Sequence, residues 1–69
     1  MTQAELKSEA SRLLRNMSVS AGWHGTCSAA VADYIAENYS MTVFCNGYLR
    51  NIIFTPATRN YYSFRTEEA

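Results

Sequence analysis

The chain has 69 residues, six basic and six acidic, with a formal net charge of zero and 48% hydrophobic residues. That composition is globular and not disordered, it supplies one small core, and it excludes bulk charge as a force drawing the protein to nucleic acid or a membrane. The opening MTQAELKSEASRLLRN has charges spread through it and lacks the apolar segment of a secretory signal, and no apolar run approaches a membrane span. Two cysteines without such a signal point to a reducing, cytoplasmic setting with free thiols; a Cys27–Cys45 disulfide is the minor alternative.

The first helix is expected over 3–16. Thr2 and Glu5 have capping-box spacing, and Leu6, Ala10, Leu13, Leu14 and Met17 recur on one face of a 3.6-residue helix. Glu5 and Glu9 lie early and Arg12 and Arg15 late, which suits the helix dipole, and Glu9 is spaced to pair with Arg12.

Residues 18–25, SVSAGWHG, carry two glycines and no helical period, and read as a connection. Alternation of Val19, Ala21 and Trp23 leaves room for a short strand. The second helix is expected to open at Thr26, whose hydroxyl can cap it. Cys27, Ala30, Val31, Tyr34, Ile35 and Asn38 would share one face, and Ala29, Ala32 and Ala36 a flat second one. Asp33 and Glu37 form an acidic stripe elsewhere.

From Met41 the period becomes two. Asn46-Gly47 within MTVFCNGYLRNIIF is a strong hairpin signal, because both central positions of a type I′ turn need positive φ. That turn pairs Cys45 with Tyr48, Val43 with Arg50 and Met41 with Ile52 on one face. Phe44 with Leu49, Thr42 with Asn51, and Ile53 take the other. Helices can cover only one face, so Phe44, Leu49 and Ile53 are expected to stay partly exposed, the mark of an interface. Pro56 is expected to close the strand, the loop TPATRN to follow, and YYSFR to form a last strand at 61–65 ahead of a fraying acidic tail. The fold class is therefore α+β: two N-terminal helices packed on a three-stranded antiparallel sheet, in one small domain spanning 1–69.

The stretch SAGWHGTCSAA holds the only tryptophan, the only histidine and one cysteine. Structural zinc takes four ligands; His24, Cys27 and Cys45 make three, and only Asp33 or Glu37 remains to complete them. A cysteine opening a helix has the setting of a thiol nucleophile, but the base usually arrives from a separate element, and the one histidine lies three residues upstream. Neither metal, cofactor nor catalytic residue is assigned. Trp23 is read as inserting into the core or as an exposed anchor.

Between Asn38 and Thr66 there is no acid, and Arg50, Arg59 and Arg65 lie there among Tyr48, Phe54, Tyr61, Tyr62 and Phe64. Arginine among aromatics on a sheet suits single-stranded nucleic acid, although three cations are a thin electrostatic footprint. A winged helix-turn-helix is disfavoured because its recognition helix would carry acids and no base. The leading expectation is a non-enzymatic protein-binding module that occupies a surface on a larger host protein or complex. Trp23, Phe44, Tyr48, Leu49, Arg50, Ile53, Arg59, Tyr61 and Arg65 are its candidate contacts. Short cofactor-free α+β chains of this size and style are often phage or mobile-element inhibitors of host machinery, anti-CRISPR proteins included; the analogy rests on no motif. The alternative expectation is a small single-stranded nucleic-acid-binding regulator. A homodimer through the sheet face or the alanine face of helix two fits either.

Overall fold

The computed structural model describes residues 1–69 as two helices and four strands, in the order α1 (Gln3–Val19), β1 (Gly25–Ser28), α2 (Ala29–Asn38), β2 (Thr42–Cys45), β3 (Tyr48–Thr58) and β4 (Tyr61–Glu68). The α+β class holds, with one strand more than the three expected. All pairings are antiparallel and the sheet order is β1-β4-β3-β2, so the helices sit on one face of a single sheet.

Helix α1 begins as its spacing requires. The Glu5 amide donates to Thr2 Oγ1 at 3.2 Å, and the Thr2 amide donates to Glu5 Oε1 at 3.3 Å. Glu9 accepts from Arg12 at 2.8 Å. Ala10, Leu13 and Met17 are buried along one stripe, and the helix runs to Val19, three residues beyond the expected end.

The second helix departs from expectation at its start. Residues 25–28 form the edge strand β1, and Ser28 rather than Thr26 caps α2, its hydroxyl accepting from the Val31 amide at 3.3 Å. Cys27 is thereby a strand residue opposite Tyr62 and not a helix-opening thiol. Residues 20–24 form the connection read from the sequence, and the short strand for which 19–23 left room does not form. Within α2, Val31, Ala32 and Ile35 are buried; Ala30, expected on the apolar face, is exposed, and the alanine face is divided, with Ala32 in the core, Ala29 half-buried and Ala36 in solvent.

The β2–β3 hairpin has the expected register, with Asn46 at φ 54° and Gly47 at φ 85° in its turn. Strand β3 continues through Pro56 to Thr58, with an irregularity between Pro56 and Thr58. The ladder explains why proline is tolerated there. The Ala69 amide bonds to Leu49 O and the Ile52 amide to Met41 O, so odd positions of β3 bond to β4 and even positions bond towards β2. Strand β2 ends before it reaches Pro56, so the missing N–H costs no ladder bond. The acidic tail pairs rather than frays: Thr66, Glu67 and Glu68 lie opposite Ile52, Asn51 and Arg50.

The core lies between helices and sheet, where Ala10, Leu13, Met17, Val31 and Ile35 meet Ile52 and Phe64. No helix is long and apolar enough to cross a membrane.

Candidate interaction surface

Strand alternation sorts the sheet into two faces. Even positions of β4, and of β3 as far as Pro56, face the helices with Gly25, Cys27, Val43 and Cys45; Ile52, Phe64 and Thr66 are buried there. The odd positions, with Thr26, Ser28, Thr42 and Phe44, face away, and no helix covers them.

Of the nine candidate contacts, five share this open face: Phe44, Leu49, Ile53, Tyr61 and Arg65. Phe44 is 66% exposed and lies directly across the ladder from Leu49, 42% exposed. Ile53 is half-buried opposite Arg65, and Tyr61, 52% exposed, sits towards the other end of the strand. Asn51 and Glu67 pair with each other between Leu49 and Ile53, which divides the apolar surface into a Phe44–Leu49 patch and a separate Ile53. Arg65 is ion-paired with Glu67. Glu67 had no place among the expected contacts, yet the period-two alternation through Tyr61, Ser63 and Arg65 extends to it.

The other four candidates lie elsewhere. Tyr48 is 77% exposed but has the parity of the helix side, beside the turn of the β2–β3 hairpin. It lines a groove of about 600 Å³ with Cys45, Leu49, Arg50 and Glu68. Arg50 also points to the helix side. Its Nε donates to Thr66 Oγ1 and one terminal nitrogen donates to Thr66 O, both at 2.9 Å, while Thr66 Oγ1 donates to Ala21 O at 2.9 Å. This chain of bonds ties β3 and β4 to the loop after α1. Arg59 is exposed in the β3–β4 turn.

Trp23 is half-buried in the loop before β1, its ring centroid 4.8 Å from that of Phe64. It packs against the core from the β1 edge, across the sheet from the Phe44 patch. Gly25 permits this: a Cβ there would lie 3.3 Å from the Phe64 ring.

Arg50, Arg59 and Arg65 therefore do not converge on one aromatic surface. The elements of the SAGWHGTCSAA stretch also separate. His24 Nδ1 lies 2.9 Å from Gly22 O, and Cys27 and Cys45, both free, occupy the opposite outer strands and opposite ends of the sheet, Cys27 level with Pro56 of β3 and Cys45 with Tyr48. Burial pushes the Cys27 thiol above its ordinary value of 9.0, the reverse of an activated nucleophile. Compared with known protein families, curated proteins and solved structures, the chain matches none.

Proposed function

We propose that the protein is a non-enzymatic binding module that acts by occupying a surface on a larger protein, with the open sheet face as its contact. One observation supports this above others: Phe44 and Leu49, paired across the hairpin, stand 66% and 42% exposed on a face that no element of the chain covers. Aromatic and aliphatic side chains flanked by an Arg65–Glu67 pair have the composition of an interface with a polar rim. The size and style of phage and mobile-element inhibitors of host machinery, anti-CRISPR proteins among them, suggest the kind of role; the target is a host protein or complex.

Nucleic acid is the weaker reading. Arg50 is bonded to Thr66 on the helix side and Arg65 to Glu67 on the open side, which leaves few free cations beside the open-face rings.

Affinity capture from a host lysate tests the proposal, using wild type beside a Phe44→Lys/Leu49→Lys double variant. A stoichiometric protein retained by wild type and lost with the variant is expected. Capture that is unchanged by the variant, or salt-sensitive binding of oligonucleotides alone, overturns it.

A further inference from the structure

Strand β2 is one of the two outer strands of the sheet, and apart from its shortness, four residues, it lacks the usual protections of an edge. Its residues Thr42-Val43-Phe44-Cys45 include no charge and no proline, and its register with β3 has no bulge. The two-residue turn makes Cys45 and Tyr48 a pair that exchanges both hydrogen bonds, and Ile52 N–H to Met41 O at 2.9 Å continues the alternation. Val43 and Cys45 therefore direct their backbone groups at β3. Thr42 and Phe44 direct theirs outward.

We propose that this edge joins two copies of the chain: β2 pairs antiparallel with β2 of a second molecule about a twofold axis at Val43. The register follows from the geometry. Thr42 of each copy faces Phe44 of the other as a hydrogen-bonded pair, and Val43 meets its own counterpart as the non-bonded pair on the axis. The outward amides and carbonyls of both residues are satisfied by this one arrangement.

The electrostatics allow a second copy. The strand is neutral, and the one charged residue of its ladder with β3, Arg50, lies one strand inward with its guanidinium drawn to Thr66 on β4, away from the edge. The opposite edge is less suited, because Ser28 caps α2 and the chain leaves the sheet there, so Thr26 alone offers a free strand position. A ladder this short buries less than the ~1,200 Å² of the smaller stable interfaces, so the association is concentration-dependent. Its product is a continuous sheet in which the two Phe44–Leu49 patches lie side by side at the centre.

This inference does not depend on the proposed partner. Sedimentation equilibrium over a concentration series tests it with wild type and Thr42→Pro. The Thr42 N–H points outward, so the proline removes a donor from the edge while leaving the β2–β3 ladder and the Phe44 patch in place. Dimerisation of wild type, weakened about tenfold or more in Thr42→Pro, is expected, since each dimer loses two donors. A wild type that stays monomeric at about millimolar concentration, or a dimer that ignores Thr42→Pro, overturns it. A measurement without any variant guards against misfolding: in a mixed-label NMR sample, an intermolecular contact between the two Val43 Hα protons is expected. Intermolecular contacts confined to Ile53 and Tyr61 refute the edge pairing. Loss of host-protein capture in the Phe44→Lys/Leu49→Lys variant of a monomeric protein sinks the dimer and spares the partner surface.

Discussion

Ile52 and Ile53 are the same residue type one position apart, yet they experience different surroundings. Ile52 is 4% exposed beneath the helices, packed with Leu13, Ile35 and Phe64. Ile53 faces away, half-buried between Arg65 and its strand neighbours. The difference lies in the tertiary layer, not in the residue: two helices cover one side of the sheet and nothing in the chain covers the other. The helix side stabilises the fold, and the open side is available to something else.

The largest test of that contrast is the matched pair Ile52→Ala and Ile53→Ala. Removing the buried side chain deletes apolar contacts and leaves a cavity, and costs about 2–5 kcal/mol. The half-buried one leaves no closed cavity and costs about 1 kcal/mol or less. A domain of this size has only ~3–10 kcal/mol to lose, so urea unfolding of Ile52→Ala should show a large shift in midpoint or no folded baseline. Equal losses from the two variants would mean that the open face is covered in solution.

Polar groups on the helix side obey the same distinction. Thr66, 8% exposed, is the only buried polar residue, and its hydroxyl bridges Arg50 Nε to Ala21 O. Thr66→Val keeps the shape and strands both partners, which costs about 1–3 kcal/mol. Arg50→Met added to Thr66→Val should recover part of the loss in the same unfolding experiment, because an orphaned charge is then gone. Ser63, three positions earlier on β4 and facing the open side, has a side chain bonded only to Thr55 O, and Ser63→Ala should fall within about 0.5 kcal/mol.

How far this division was legible depended on whether the signal was local. The start of α1 was readable because a Thr2–Glu5 box and a 3.6-residue period lie within a few turns. The hairpin was readable for the same reason: Asn46-Gly47 determines the turn, and the turn determines the register that puts Phe44 with Leu49 and Arg50 with Val43. Strand β1 was not readable. Gly25-Thr26-Cys27-Ser28 pairs with residues 61–64, some 35 positions away, and its small side chains show no hydrophobic alternation. Once that pairing holds 25–28 extended, the helix cap moves from Thr26 to Ser28, since either hydroxyl serves. Pro56 misled because a proline rule was applied without the sheet order: the strand beside it is too short to need its N–H. Arg50, Arg59 and Arg65 looked like one basic surface: the hairpin register placed Arg50, but the face of Arg65 depends on a β3–β4 register that no short-range signal sets, and the partners Thr66 and Glu67 lie in a tail expected to fray.

On the open face the effects on stability should be small and those on binding large. Phe44→Ser removes a ring that is 66% exposed and should change unfolding free energy by no more than about 0.5 kcal/mol. Truncating a central aromatic of an interface typically costs 2 kcal/mol or more, roughly thirtyfold in affinity. Unfolding and partner affinity measured on the same preparation separate the two. A Phe44→Ser protein that unfolds readily would assign the ring to the fold and return the open face to mere surface.

The smallest effect concerns two adjacent thiol positions on opposite faces. Cys27 faces α2, and burial holds its thiol above 9.0. The folded state thus keeps this proton more tightly than the unfolded chain. Its contribution is complete below the unfolded value and is lost as pH rises through the higher folded value. Stability should therefore fall above about pH 9 more steeply in wild type than in Cys27→Ala, the variant cancelling the background from tyrosine titration. The neighbouring Thr26 is exposed on the open side of the same strand. In a Cys27→Ala background, Thr26→Cys should react with iodoacetamide about tenfold faster or more than Cys27 does in wild type, because a solvated thiol ionises more readily than a desolvated one. Similar rates for the two would show that β1 opens faster than the reagent attacks. The buried and open sides would then be distinct in the β2–β3–β4 part of the sheet but not at this edge.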